Sequence, residues 1–413
     1  MANAETKDGC IVKTSKGCLG FFMGPALLLG AICMLFWNEG ENIKVSGALN
    51  EAESQVQRVT DTNTPDSSLE GKLVYVRGVA STSDVLRDET YGVEANAIVL
   101  KRFVQFAQWK EGKKKRTGTE KKPLGMTEHE FNRNRDSEYV YNYYRAWVNE
   151  PINSVVFYDT RYRDANHVFY QEKNTELRAR NVQLGGYSLT TEQIARIGGN
   201  REAVLPKQIP PVVQGRSTIQ GEYLHVGRAP EGGLYYQVNP QEPSIGDVRI
   251  SWEANKPTQP VTVIAVQRGN SFEPYTAANG AKVDLLYNDT LNLAQCFEKA
   301  HNTNTAQVWG VRFGGWLMMW GGFACMLSPL AKMIPFCRKL AEAGATIISL
   351  LLGSILSLLT VAIAQLFFNP IMTLCLLLPA VGLIWLITWL KCKSPASHLT
   401  HKKRNQHNKQ LQA

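Results

Sequence analysis

The long middle of this chain is nearly without cysteine, and its C-terminal quarter is nearly without acid. Between residues 38 and 307 the only cysteine is Cys296, which excludes an internal disulfide framework there. Beyond residue 307, ten Lys and Arg face one acid, Glu342. That leaves +9, the formal charge of the whole 413-residue chain. Four stretches, 18–37, 313–331, 343–368 and 371–390, lack charge altogether. Their lengths of 20, 19, 26 and 20 residues match the roughly 20 apolar helical residues that cross a bilayer core of about 30 Å. A helix of this length in a soluble core keeps a polar stripe, and these have none.

Catalytic motifs are missing as well. There is no Gly-rich phosphate loop, no Gly-x-Ser-x-Gly elbow and no Cys-x-x-Cys pair. His129, His167, His225 and His301 are far apart, and Glu128-His129-Glu130 lacks the second His that a zinc helix needs. The chain therefore reads as non-enzymatic, with no cofactor and no metal. A hydrolase assembled from distant residues around His129 or His225 is kept as a third reading.

What is present is a membrane protein with four transmembrane α-helices, one N-terminal and three C-terminal, around a β-rich α+β extracytoplasmic domain. The expected order is a tail (1–17), span 1 (18–37), the luminal or periplasmic domain (38–307), span 2 (310–331), span 3 (343–368), span 4 (371–390) and a basic tail (391–413). Span 1 is longer than a signal core and no small-x-small site follows it, so it is read as retained. Cytoplasmic loops collect Lys and Arg. Lys7, Lys13 and Lys16 precede span 1, and Glu39 and Glu41 follow it. Lys332, Arg338 and Lys339 lie between spans 2 and 3, and six basic residues follow span 4. Both termini are thus expected in the cytoplasm or nucleoplasm. Arg312, at the start of span 2, is the exception and is expected to snorkel to the interface. The charge excess reports topology, so the lipid bilayer is the expected partner and nucleic acid is not. Lys113-Lys114-Lys115-Arg116 is read as a solvated loop on the far side.

Within the domain, residues 39–60 read as a polar, partly helical lead-out. Two-residue alternation marks strands at 71–78 and 97–109, and 139–148 is an aromatic-rich strand. Further strands are expected at 222–226, 234–238, 247–252 and 261–267, with a short helix at 192–197. Residues 110–123 read as an exposed loop, 253–260 as a proline-containing hairpin loop, and 294–305 as a short linker. Residues 70–76 faintly repeat at 220–226. Asn288-Asp289-Thr290 is a glycosylation acceptor pattern, making Asn288 a candidate if the domain is luminal. Cys18 and Cys392 are juxtamembrane acylation candidates, with a plain thiol as the alternative.

Inside the spans the only clearly polar side chain is Gln365, whereas a pathway would keep ionisable groups. Small residues abound. Gly20 and Gly24 form Gly-x-x-x-Gly, Ser349 and Gly353 repeat the spacing, and Gly314, Gly315, Gly321 and Gly322 recur every seven residues, expected on one face of span 2. Such faces let helices pack closely, within the bundle or in a homo-oligomer, and both readings stay open. The result is a packed anchor, with an ion channel or channel regulator as the alternative.

Several stretches carry a resemblance. They are Leu35-Phe36-Trp37-Asn38-Glu39-Gly40, residues 70–78, 91–102 and 181–189, Gly246-Asp247-Val248-Arg249-Ile250-Ser251-Trp252, and 314–330. In these the chain resembles the transmembrane protein 43 (LUMA) family along nearly its whole length. The resemblance implies a non-enzymatic membrane scaffold that self-associates. In a eukaryote it implies the endoplasmic reticulum and inner nuclear membrane, with lamins and emerin as partners. In a bacterium it implies the inner membrane.

Overall fold

The computed structural model describes residues 5–115, 139–166, 172–228, 238–332 and 338–370, with side chains for all of these except 5–22 and 329–342. The expected span 4, the basic tail with Cys392, residues 116–123 and 234–237, His129 and His167 lie outside them, as do the side chain of Cys18 and the packing of Gly20. The chain divides into two units. One holds residues 1–54, 276–282 and 297–413, the other 55–275 and 283–296.

Long helices dominate the first unit: α1 (Glu5–Gln55), α3 (Leu293–Lys332) and α4 (Arg338–Phe368), α2 being a short helix described below. At 1.5 Å per residue, the 51 residues of α1 extend about 76 Å, so the expected span 1 and the polar lead-out form one unbroken helix. The expected span 3 matches the C-terminal 26 residues of α4. Among the described residues, α1 and α4 are long and apolar enough to cross a membrane. In α3, glycines and tryptophans thin out the apolar side chains. The expected linker at 294–305 is instead the first turns of α3. A reciprocal cap explains the early start: Gln295 N–H donates to Asn292 Oδ1 at 2.9 Å, and Asn292 N–H to Gln295 Oε1 at 3.0 Å. No Gly or Pro interrupts the turns that follow. The outward side chains of α4, among them Ile347, Leu351, Ile355, Leu358 and Phe367, are apolar and exposed. This inverts the pattern of a soluble bundle.

The second unit is built on two seven-stranded sheets, with a two-stranded hairpin of Val85–Asp88 and Val93–Asn96 beside them. Its principal strands are β1 (Leu73–Ser81), β2 (Val99–Lys115), β3 (Tyr139–Val148), β4 (Gln183–Leu184), β5 (Tyr187–Ser188), β6 (Ser217–Gln220), β7 (Tyr223–Val226), β8 (Val248–Asn255), β9 (Thr258–Arg268) and β10 (Ser271–Glu273). The first sheet runs β10-β9-β1-β4-β5 and the second β6-β7-β8-β2-β3. The short helix α2 (Thr191–Arg196) starts on a capping box from Thr190 and Gln193.

Three expectations change here. Alternation at β1 gives way to four consecutive buried residues, Leu73 to Val76. Paired with β9 along its whole length, β1 is covered on both faces over this half, while Arg77, Val79 and Ser81 beyond it are exposed. Residues 110–115 are not loop; they continue β2 against β3, down to Lys115 opposite Tyr139. Nor do residues 253–260 form a hairpin loop. Only Lys256 and Pro257 lie between β8 and β9, which belong to different sheets. Pro260 lies within β9, opposite Val79 and beyond the ends of β10 and 285–287 pairing. There its missing N–H faces an open edge.

Each sheet has its own core. Val74, Val76, Leu184, Tyr187, Val261 and Val263 fill the first, and Leu100, Val104, Phe106, Leu224, Ile250 and Trp252 the second. The echo of 70–76 in 220–226 has a local counterpart, since Gly71 and Gly221 both take positive φ (+74° and +60°) just before β1 and β7. Between β4 and β5 the turn is Gly185-Gly186. Gly185 has φ +61°, and a Cβ there would stand 2.1 Å from Thr62 O. The second core also encloses a charged network. Asp88, 5% exposed, accepts from Trp252 Nε1 at 2.8 Å and from Arg102 at 2.8–2.9 Å. The Arg102 guanidinium lies 5.1 Å over the Tyr91 ring, and burial pushes the Tyr91 hydroxyl up to about 12. Asp88→Ala strands a buried cation and an indole N–H, so it should cost about 3–5 kcal/mol. Urea unfolding followed by near-UV circular dichroism measures this, and a loss under about 1 kcal/mol, the scale of an exposed pair, would show the network to be dispensable.

Candidate functional site

Helices α1 and α3 pack antiparallel along one seam of the first unit. Along α1 the contact positions are Gly24, Leu28, Ala31, Leu35, Glu39, Asn42 and Ser46, three or four residues apart. Their α3 partners fall in number as these rise: Gly322 and Met326, Gly322, Met319, Gly315, Arg312, then Asn304. Spacing of three and four is that of a left-handed coiled coil.

The apolar half of the seam depends on small residues. A Cβ at Gly24 would lie 2.8 Å from Gly322 O, one at Gly322 would lie 3.0 Å from Gly24 O, and one at Gly315 would meet Leu35 Cδ2 at 2.5 Å. On α4, a Cβ at Gly353 would lie 2.8 Å from the Trp320 backbone nitrogen. Ser349 is fully buried and donates to its own helix, at Ala345 O. The glycines of span 2 do not share one face. Consecutive helical residues point about 100° apart, so Gly315 and Gly322 face α1, while a Cβ at Gly314 or Gly321 would meet nothing within 4 Å among the described residues. Gly353→Leu and Gly322→Leu should therefore each cost about 1–3 kcal/mol by overpacking, and Gly314→Leu much less. Thermal midpoints of the detergent-solubilised chain test the ranking, and equal losses at all three positions would refute it.

Where the apolar seam ends, three helices meet at a carboxylate. Glu39 of α1 is 0% exposed. Arg312 of α3 donates to it with both arms, Nε to Oε1 and Nη2 to Oε2, each at 2.7 Å. Gln365 of α4 donates its amide to the same Oε2. Asn38 Nδ2 lies 3.5 Å from Oε1 and 3.5 Å from Val308 O. The guanidinium is 4.9 Å over the Trp309 ring. Phe36, Phe367 and Phe368 cluster beside the junction with centroids 5.0–5.4 Å apart, and a Cβ at Gly40 would stand 2.7 Å from the Phe368 ring. Arg312 therefore does not snorkel; its charge turns inward to Glu39. In the sequence Glu39 stands only as the first charge after span 1. The signal for its role was a lone acid ending one uncharged run and a lone base beginning another.

Such a bidentate pair is strong and directional. Its oxygens are engaged from all three helices, so the group fixes the rotation and depth of each. Removing one partner of a buried pair leaves the other uncompensated, so Glu39→Gln should destabilise the bundle by about 3–5 kcal/mol. The double variant Glu39→Leu/Arg312→Leu should recover part of that loss. A double-mutant cycle on the thermal midpoints shows this, and strictly additive losses would mean that the pair is not coupled.

The other candidates lie apart from this junction. Asn288 is exposed, but its amide is engaged: Oδ1 accepts from Gly198 N–H at 2.8 Å and Nδ2 donates to Arg196 O at 3.1 Å. Cys296 is buried. His225 lies on the second sheet and His301 in α3. No group of three or more metal-ligating side chains occurs among the described residues.

The chain is similar to known proteins over most of its length. It is 28% identical to mouse transmembrane protein 43 over 381 residues, covering 89% of each chain. It is 28% identical to the human protein of that name over 383 residues, 90% of each. The transmembrane protein 43 homolog of Drosophila melanogaster is 27% identical over 368 residues, 86% of this chain and 92% of its own. No solved structure matches. The family model for transmembrane protein 43 matches residues 106–370, which run from within β2 through both sheets' later strands to Arg312 and Gln365. The chain belongs to the transmembrane protein 43 family.

Proposed function

We propose that this membrane protein is a non-enzymatic polytopic scaffold, a four-span anchor that displays a β-rich domain on the far side of the membrane and gathers other membrane proteins there. The closed junction at Glu39 is the observation that supports this best. Its carboxylate is saturated by donors from α1, α3 and α4, and Gln365, the polar residue a conduction pathway would use, is spent on it. Gly24, Gly315, Gly322 and Gly353 are used up in contacts within the bundle. Gly314 and Gly321 remain as the faces through which copies could associate, since close helix approach in lipid relies on such positions. In a eukaryotic cell the reading extends to the endoplasmic reticulum and inner nuclear membrane, with lamins and emerin as partners, and the termini on the cytoplasmic or nucleoplasmic side.

Cross-linking in intact membranes followed by sizing in mild detergent tests the assembly. The expected result is an oligomer that Gly314→Leu/Gly321→Leu shifts toward monomer with the fold intact. A strictly monomeric wild type that captures no membrane partner would sink the scaffold reading. A specific conductance in liposomes, abolished by Gln365→Leu, would move the assignment to a channel.

A further inference from the structure

On the outer face of the second sheet, opposite the Leu224 and Ile250 core, four strands align one transverse row. Thr218 of β6 stands opposite His225 of β7, His225 opposite Arg249 of β8, and Arg249 opposite Gln105 of β2. Gln105 Nε2 in turn donates to Asn149 Oδ1 at 2.7 Å. Two rings flank the row. The Arg249 guanidinium carbon lies 4.9 Å from the Trp147 centroid and 4.4 Å from that of Tyr223, and both rings also pack on His225, at 5.8 and 6.0 Å.

Two polar groups in this cluster are left unmatched. His225 is 5% exposed, and its Nδ1 is buried without a hydrogen-bond partner. Arg249 donates Nε to Gln105 Oε1 at 2.6 Å, but its two terminal nitrogens have no carboxylate among the described residues. Asp247, two residues before Arg249, accepts from the backbone N–H groups of Ser244 (2.8 Å) and Arg228 (3.2 Å). Partial burial holds Arg249 below the usual guanidinium range. Burial, and then the Arg249 charge, holds His225 below the usual imidazole range, which favours the neutral ring, with one nitrogen as donor and the other as acceptor. Buried polar atoms without partners are rare and costly, and a partly desolvated cation without a carboxylate partner among the described residues compounds the cost. Stacked rings cover the faces of a guanidinium and leave its in-plane edge, which fits the two oxygens of an oxyanion. An open groove of about 420 Å³, lined by Thr218, Ile219, Gln220, Val238, Asn239 and Pro240, begins where the row ends at Thr218.

We propose that this face is a small-molecule site: the free edge of Arg249, assisted by His225, binds a carboxylate or phosphate group, and the rest of the ligand lies over the rings of Trp147 and Tyr223 toward the groove. The site takes one anionic small molecule and is independent of the scaffold reading, because no residue of the helical bundle takes part.

Isothermal titration of the full chain in a neutral detergent, with inorganic phosphate and separately with benzoate, tests it. At least one of the two should bind saturably; tighter phosphate binding assigns a phosphorylated ligand, and tighter benzoate binding a carboxylic acid. Arg249→Gln should weaken binding by at least about tenfold, since it deletes a charge-assisted bidentate contact. Gln105→Glu keeps the shape and supplies a carboxylate beside Arg249, so it should weaken binding by a similar factor while the thermal midpoint holds or rises. Lys256→Gln, at an exposed lysine elsewhere on the domain, should bind like the wild type. The proposal fails if the wild type binds neither probe, if Gln105→Glu binds like the wild type, or if Lys256→Gln weakens binding as much as Arg249→Gln.

Discussion

The ion pair between Glu39 and Arg312 is the constraint on which the helical unit depends. Neither charge is tolerable alone at the edge of an apolar bundle, where desolvation costs several kcal/mol per ion. Together they have one low-energy arrangement, with the carboxylate and guanidinium edges parallel and Gln365 closing the remaining lone pair. A purely apolar seam of Leu, Ile and Met could slide by a turn at little cost. A single buried polar contact cannot, and this is how polar residues specify register in coiled coils. The glycines then take their meaning from the register. Gly24 meets Gly322, and Gly315 meets Leu35, only when Glu39 meets Arg312.

The second unit follows the same economy with different means. In the first sheet β1 and β9 pair over nine residues, and its buried polar contact is Gln267, which accepts from the Tyr187 hydroxyl and donates to Asp66 O. The second sheet has one core face and one outer face, and places its polar specificity on both: Asp88 with Arg102 and Trp252 within the core, and the Arg249 row outside. A crossover of only two residues, Lys256 and Pro257, ties the sheets together in sequence.

Uncharged runs and their flanking charges were enough to place α1 and α4, because a long apolar run has few alternatives. Strands with strong β-branched and aromatic content, such as 139–148, were legible for the same reason. Residues 110–115 were not, because a strand so rich in lysine is held by its pairing with β3 rather than by its own composition. The hairpin expected at 253–260 failed because two prolines suggest a turn, whereas Pro260 only marks an open edge. The junction was half legible. Gln365 and Arg312 stood out as polar residues in apolar surroundings, but nothing in one dimension said that Glu39, 273 positions from Arg312, would face them. The Arg249 row was invisible for a related reason, since its members come from four strands and meet only through register.

The α1–α3 seam continues past the polar junction, where Asn304 bonds Asn42 and Ser46 at 2.9 and 3.1 Å. The two helices thus keep the same partners through their apolar and their polar stretches. Tilting or sliding one helix against the other would break the lock and separate the glycine contacts. The pair is therefore a single stiff rod: a force applied at the polar end of either helix is carried to the glycine contacts of both.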